Sequence, residues 1–319
     1  MRRYGRYKKL TDIDMYSVCE KKALDGFPSW NELSVGTVFD GDGEAMRGWF
    51  KRQRQKRGII GNKNKTRILC LSDFHCPYNV PISTFQEYAG KVDILVLNGD
   101  IEDCQGISKF SKKYRVAFVD EMVMTRKLII DLIEMIKPKK VFINYGNHEQ
   151  RMIHHLSEKL HEDLLQLMPE TPLDLICDSG FYKYNHEEKS RTKYEPLVDV
   201  FKNKVEVEYT KNWWNKIGKT IFAHPKAYKS GLLATVEKAY LHFLQKGIQF
   251  DCIVLAHTHA FGMAQYGQAK IYEQGGLCVE QEYSMNGGLG RPQAQGFFYQ
   301  IQDEEGNFIY DESKLVSVG

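Results

Sequence analysis

Residues 140–152 read KVFINYGNHEQRM, an apolar run that ends in Gly-Asn-His and passes straight into helical residues. The run has the length and β-branched content of a buried strand. The Gly-Asn-His step can be read in two ways. Gly and Asn tolerate left-handed backbone and collect in turns, so the stretch could be a polar loop. Alternatively, the amide oxygen of Asn147 binds a metal and the imidazole of His148 works on a substrate beside it. The neighbouring segments decide between these readings.

Outward from this stretch, short apolar runs alternate with helical ones. RILCLS (67–72), VDILVLN (92–98), KTIFA (219–223) and DCIVLA (251–256) read as further strands, with KVEVEY, AKIYEQGG and GFFYQIQ beside them. EMVMTRKLIIDLIEMIK, RMIHHLSEKLHEDLLQLM (151–168) and LLATVEKAYLHFLQKG read as helices, and KYNHEEKSRTKYEP (183–196) as an exposed, irregular excursion. This order predicts βαβ units around a buried sheet. Five of the strands end in side chains that bind metals: Asp73 and His75; Asp100, with Glu102 and Asp103; Asn147 and His148; His224; and His257 and His259. In open α/β sheets, ligands bind outside the carboxyl ends of the strands. In Asp-x-His or His-x-His at a strand end, alternate side chains point the same way and can face one ion. Carboxylate, imidazole and amide donors together suit Mn, Fe or Zn better than Ca. A carboxylate such as Asp100 can bridge two ions about 3.5–4 Å apart, the spacing of two-metal phosphoryl-transfer sites. Gly99 and Gly146 are expected to give the turns their freedom.

The ordered set DFH (73–75), GDIED (99–103), GNHE (146–149), AH (223–224) and AHTH (256–259) resembles the calcineurin-like metallophosphoesterases. Their motifs run D-x-H, G-D-x-x-D, G-N-H-[DE], a lone His and G-H-x-H. The resemblance spans roughly residues 67–300. It implies a four-layer αββα sandwich and a centre of two divalent metal ions, Mn first, with Fe or Zn as the other candidates. By position, Asp73, His75, Asp100 and His259 would hold one ion. Asp100 would bridge to the second, completed by Asn147, His224 and His257. His148 would face the phosphoryl group, to stabilise the transition state or protonate the leaving oxygen. The implied activity is phosphoester hydrolysis by a metal-activated hydroxide. Two positions depart from the pattern, Ala256 and Pro225 standing where glycine is usual; neither removes a ligand. Arg151 is placed to clamp a substrate phosphate bidentately, or is a helix-surface arginine. Asp103 is a candidate to orient a ligating histidine, and Glu149 to favour a helix start by its charge. The GNHE-x-R variant and the EQEYSMNGG and RPQAQGFF stretches resemble phage or prophage members of the family.

The chain has 319 residues, 42% hydrophobic and 27% charged, the composition of a globular protein. It lacks an apolar run of membrane-span length and an apolar core after its basic N-terminus, so no membrane association and a cytoplasmic location (the host's, if phage-encoded) are expected. The seven cysteines form no C-x-x-C pair and sit in apolar runs, which reads as reduced, buried thiols. Charge is uneven. Residues 1–67 hold 16 Lys or Arg against 8 Asp or Glu; with a total of +3, the other 252 residues carry −5. Residues 1–65 therefore read as a separate, basic, mainly helical segment before a phosphoesterase domain at 66–319. EAMRGWFKRQRQKR, the second helix of a helix-turn-helix-like pair, is basic enough to meet phosphates, and GIIGNKNKTR (58–67) is a linker. Nucleic acid is the partner this suggests, through 1–65 and the active-site edge, and a nucleic-acid phosphodiester the substrate. The alternatives are a phosphomonoesterase or small cyclic-phosphodiester hydrolase, and a DNA-binding protein with a structural metal site. Gly218-Lys219-Thr220 is no phosphate-binding loop, because Trp213 stands where its first Gly should be. His154, His155, His161, His186 and His242 read as helix- or loop-surface residues, and Trp213 and Trp214 as core or domain packing rather than a base-stacking platform.

Overall fold

Alternation along β1 (Thr66–Leu71) sets the layers of the protein. In the computed structural model, which describes residues 11–25, 28–56, 65–109, 115–279 and 293–318, Leu69 and Leu71 face one way and Ile68 and Cys70 the other. Leu69 and Leu71 join Leu95 and Leu97 of β2 (Ile94–Asn98) and Val141 and Ile143 of β3 (Lys140–Asn144) in one core. That core is covered by Leu128, Ile129, Leu132, Ile133 and Ile136 of α4 (Phe118–Ile136). Ile68, Cys70 and Val96 instead meet Phe222 of β8 (Thr220–Ala223) and Cys252 and Val254 of β9 (Cys252–Leu255). The alternate residues Ile221, Ala223, Ile253 and Leu255 pack under Val236, Ala239 and Phe243 of α8 (Ala234–Gln245). Period-two burial on two sheets thus yields helix, sheet, sheet, helix, a four-layer αββα sandwich.

The first sheet has six strands. Strands β1, β2 and β3 run parallel, and β6 (Glu206–Tyr209) extends them; on the other side lie the antiparallel β12 (Gly296–Gln302) and β13 (Lys314–Ser317). The second has five, ordered β10-β11-β9-β8-β7, where β7 is Trp214–Ile217, β10 Phe261–Tyr266 and β11 Ala269–Gln274; β8 and β9 are parallel. The carboxyl ends of the two sheets are joined by buried amides. Asn98 Nδ2 donates to Ala223 O at 3.1 Å, and Asn144 Nδ2 donates to Asn98 Oδ1 at 2.8 Å. All five motif-bearing ends therefore meet along one line.

Two sequence expectations fail. Residues 151–168 do not form one helix: α5 (Arg151–Ser157) ends, and α6 (Glu162–Leu165) restarts after His161, whose Nδ1 accepts from Asp163 N. The expected irregular excursion contains a hairpin, β4 (Phe181–Asn185) against β5 (Ser190–Tyr194). Phe181 stacks on Tyr194 at 5.0 Å, and Asn185 Oδ1 accepts from two turn amides. Charged side chains on its exposed face hid a strand pattern. All seven cysteines are buried thiols, and Trp213 and Trp214 pack on Phe243.

The chain divides into two compact units, Met1–Asn64 and Lys65–Gly319. The first holds α1 (Asp12–Asp25), α2 (Trp30–Ser34) and α3 (Gly43–Lys56). Ser29 and Glu32 form a capping box that fixes the start of α2. Tyr16, Cys19, Leu33, Met46 and Phe50 make its own small core, so Phe50 points inward while Arg47, Lys51 and Arg52 are exposed. Residues 1–10, 58–64 of the linker, EQEYSMNGG (280–288) and the first two residues of RPQAQGFF (291–298) lie outside the described residues.

Candidate metal centre

At the joined strand ends, the seven candidate ligands stand on loops immediately after β1, β2, β3, β8 and β9. Five of them, Asp73 (φ 53°), His75 (46°), Asp100 (48°), His257 (81°) and His259 (49°), have left-handed backbone. For non-glycine residues this costs about 1–2 kcal/mol each, and such strain collects at functional sites. The strand pleat is therefore not what aligns Asp73 with His75, or His257 with His259. Two left-handed residues flank one that turns away, and Phe74 is buried in the core between its neighbours.

Space explains the glycines. A Cβ on Gly99 (φ +81°) would lie 2.6 Å from His224 Nδ1, and one on Gly146 would lie 2.2 Å from Asp100 Oδ1. Gly99 needs both its positive φ and the close approach, whereas Gly146 is required by crowding alone, not by the turn freedom expected of it.

The side chains converge. Asp73 Oδ1 lies 3.2 Å from His259 Nε2, and His75 Nε2 lies 3.2 Å from His259 Nε2 and 3.9 Å from Asp100 Oδ2. On the other side of Asp100, its Oδ2 is 3.2 Å from His224 Nε2, and His257 completes a trio with Asp100 and His224 whose donor atoms lie mutually within 4.8 Å. Asp100 belongs to both groups. Asn147 Oδ1 is buried without a hydrogen-bond partner, the state of an oxygen made to face a cation. The structure thus brings six of the seven predicted residues together, with Asn147 on the loop between Gly146 and His148, which both approach Asp100; the carboxylates, imidazoles and orphan amide oxygen fit divalent metal.

Burial is the electrostatic problem of this cluster, and the histidines answer it. Burial works against the ionised form of Asp73, yet His224 and His259 outweigh it and hold the carboxyl down at about 2. Asp100, also buried, is held well below its ordinary value by His224, His148 and His75. Burial likewise opposes charge on His224, but Asp100 and Asp73 raise it to about 9. His257 goes the other way, to about 4, through burial and then the positive His224 beside it. The site concentrates carboxylate charge that positive charge must balance.

Around the ligands stands a holding layer. His224 Nδ1 is 2.8 Å from Asn98 O, Ser72 Oγ donates to Asp73 Oδ2 at 2.6 Å, and Gln274 Nε2 donates to Ser72 Oγ. Asp103 Oδ1 lies 3.4 Å from His75 Nδ1 and 3.0 Å from His148 Nδ1, the placement an orienting role would need. Arg151 Nη1 donates to Asp103 O at 2.7 Å, and its Nη2 lies 2.7 Å from His148 Nε2. Since Arg can only donate, Nε2 accepts, and this network assigns the ring proton to Nδ1, facing Asp103. Arg151 is therefore neither a bare helix-surface residue nor aimed at open solvent.

Glu149 corrects its expected role. It is fully buried and does not stabilise a helix start. Its Oε2 accepts from Asp100 N (3.0 Å) and Gly146 N (2.7 Å), and its Oε1 from Ile101 N (2.7 Å) and Glu102 N (3.1 Å). One carboxylate thereby ties the loop after β2 to the loop after β3. Burial and nearby Asp100 raise its proton affinity, and the amides of Glu102 and Gly146 oppose them. Sequence reasoning also missed Cys278, whose Sγ is 4.0 Å from His259 Nδ1 and which groups with His75 and His259. Nothing in its sequence neighbourhood signals that placement.

The family model for the calcineurin-like phosphoesterases matches residues 66–261. The chain belongs to that family. The matched residues span the loops that carry the converging side chains, and the family's use of divalent metal suits the donor set. No curated protein matches the chain significantly. Among solved structures it is similar to a novel archaeal phosphodiesterase (14% identity, 79% of this chain and 100% of that one, TM-score 0.38). It is also similar to vacuolar protein sorting 29 from Cryptosporidium parvum (15%, 76% and 87%, 0.38). A third is Vps29 complexed with Zn²⁺ from Entamoeba histolytica (12%, 79% and 98%, 0.37). All three are distant, and none bears on the substrate. Among the described residues no helix is long and apolar enough to cross a membrane.

Proposed function

We propose that the protein is a two-metal phosphodiesterase acting on nucleic acid. The observation that carries the reading is Asp100 standing in two side-chain groups, one with His75 and His148 and one with His224 and His257, while Asn147, next to His148 in the chain, has an orphan buried oxygen. Asp73, His75, Asp100 and His259 would hold one divalent ion, and Asp100, Asn147, His224 and His257 the other. When bound, such ions supply Lewis-acid activation of water and a clamp on phosphate oxygens.

The remaining work falls to the chain itself. Asp103 fixes the His148 ring, and Arg151 holds its other nitrogen. A phosphate arriving there would meet the guanidinium fork of Arg151, a geometry suited to two phosphate oxygens. As Arg151 turns to the phosphate, His148 Nε2 is freed to take up a proton from solvent and face the reacting group, where the protonated ring would stabilise developing charge or pass that proton to the leaving oxygen. The Asn98 and Ser72 contacts keep His224 and Asp73 from rotating while this happens.

The nucleic-acid reading is supported by the first unit. Arg47, Lys51 and Arg54 recur at helical spacing on α3, with Arg47, Lys51 and Arg52 exposed, as a phosphate-facing surface requires. The test is hydrolysis of para-nitrophenyl phosphate, its bis ester, and single- and double-stranded DNA by the full chain with Mn²⁺, Fe²⁺ or Zn²⁺. We expect the bis ester and DNA to be cleaved, and a chelator to abolish both activities. Cleavage of the monoester alone would replace the diester reading with a monoesterase. Inactivity on all four substrates, with metal content verified, would leave a DNA-binding protein with a structural metal.

A further inference from the structure

A cavity of about 370 Å³ opens directly beside the candidate centre, within the range of roughly 300–1,000 Å³ usual for small-molecule sites. Gly146 and His224 form its inner wall, so its floor is the same backbone and imidazole that flank Asp100. Its walls are chemically divided. Trp213 lines one side and is held in place by stacking on Phe243 at 5.6 Å and 26°. Tyr145 and Gln150, from the loop after β3, line the approach.

His242 also lines this space, and its Nε2 is buried without a hydrogen-bond partner. That orphan nitrogen and the Gln150 amide are the groups that read the edge of a polar heterocycle, while Trp213 offers a planar face. At the rim stand Lys226 and Lys238, both exposed, and among the described residues neither pairs with a carboxylate. Lys226 Nζ comes only to 3.4 Å from His154 Nε2. An aromatic wall, an unsatisfied polar edge and two unpaired cations next to a phosphoryl site have one joint solution, a flat heterocyclic base carrying phosphate.

We infer that this cavity binds the nucleobase adjoining the scissile phosphate, with Trp213 as the stacking wall, His242 and Gln150 at the base edge, and Lys226 and Lys238 on the neighbouring phosphate. The inference rests on the phosphodiesterase reading for the position of the scissile group, and it makes Trp213 the specificity-determining residue and Lys238 a phosphate-binding one.

The experiment is calorimetric titration of the full-length, Mn²⁺-loaded protein with thymidine 5′-monophosphate and with deoxyribose 5-phosphate, which lacks only the base. The nucleotide should bind about tenfold tighter, the size of one base–aromatic stacking contact. Trp213→Leu should bring the two affinities within about twofold of each other. Because that variant also touches Phe243, Lys238→Met, an exposed change, is the second arm. It should weaken both ligands about threefold or more and preserve the preference for the base. A thymidine octamer separates the sources: tighter binding than the mononucleotide assigns the pocket to a strand, equal binding to a free nucleotide, and both outcomes keep base recognition. Equal affinity of the wild-type protein for the nucleotide and the base-free sugar phosphate overturns the inference, as does a base preference that survives in a folded Trp213→Leu protein. If the wild-type protein cleaves the bis ester but shows no base preference, only the pocket assignment fails. If it cleaves no phosphoester, the phosphodiesterase reading fails first.

Discussion

The two ends of the same parallel strands are built in opposite ways. At the amino ends of β1, β2 and β3, Asp93 accepts from Arg67 Nε at 2.8 Å and from Arg67 N at 3.0 Å, and pairs with Lys139 Nζ at 2.8 Å. Its backbone carbonyl accepts from Lys139 N, so a single residue pins three strand starts in ordinary geometry. At the carboxyl ends, five residues in left-handed backbone hold buried carboxylates against imidazoles. One edge gathers stabilising contacts; the other spends stability on a fixed arrangement of donors, the usual trade at functional sites.

Substitutions on the two edges should therefore fail differently. The largest effect belongs to Asp100→Asn, which removes the carboxylate common to both ligand groups. Hydrolysis of the bis ester should fall by about 10³-fold or more, and a loss under tenfold in steady-state assays would remove Asp100 from the centre. Next, Glu149→Gln deprives four backbone amides of a charged acceptor and should lower unfolding free energy by about 2–3 kcal/mol in urea titrations. An unchanged midpoint would mean that the two loops hold without it. Arg151→Ala should reduce kcat/KM about tenfold, or about 1.4 kcal/mol, and Arg151→Lys should recover only part, since the fork geometry is lost. If kinetics stay unchanged in both, Arg151 is a bystander.

The smallest effect lies at the opposite edge. Burial works to raise the Asp93 carboxyl, but the hydrogen bonds from Arg67 and Lys139 outweigh it and hold it far below its ordinary value. A depressed folded-state value contributes stability that is fully present above the unfolded value, near 3.9, and is lost as pH falls from there through the folded value. Asp93→Asn should thus cost about 1–2 kcal/mol at pH 7, with the difference shrinking as pH falls below about 4 and vanishing only below the depressed folded value, and with hydrolysis unaffected. A pH-independent difference between variant and wild type would show that the ion pairs do not carry the effect.

The sequence discloses one edge far better than the other. The strands after residue 65 are legible because compact apolar runs stop abruptly at polar residues, and the seven candidate ligands because they sit just past those stops. The left-handed turns are not legible: Asp-x-His looks like strand alternation, and only coordinates separate that from two positive-φ residues around Phe74. Glu149 misleads because a carboxylate at a helix start has a familiar local use, whereas its four donors include three from residues 47 to 49 positions away. The buried Asn98–Asn144 link and the placement of Cys278 are likewise long-range pairings, invisible to any local pattern. The cavity beside Trp213 escapes for the same reason, since its walls come from four separated segments.

One contact at the centre has a bearing on how the protein tolerates mutation. The backbone N–H of His148 donates to Asp100 Oδ1 at 2.8 Å. The aim of that carboxylate is thus written partly in main chain, which no side-chain replacement at 148 can erase. Random change at this codon will remove the imidazole many times over and leave the Asp100 orientation standing. Proline alone, having no N–H, deletes both at once. If His148 serves the proposed reaction, lineages that lose its imidazole by drift would keep Asp100 in place and could regain activity by one reversion.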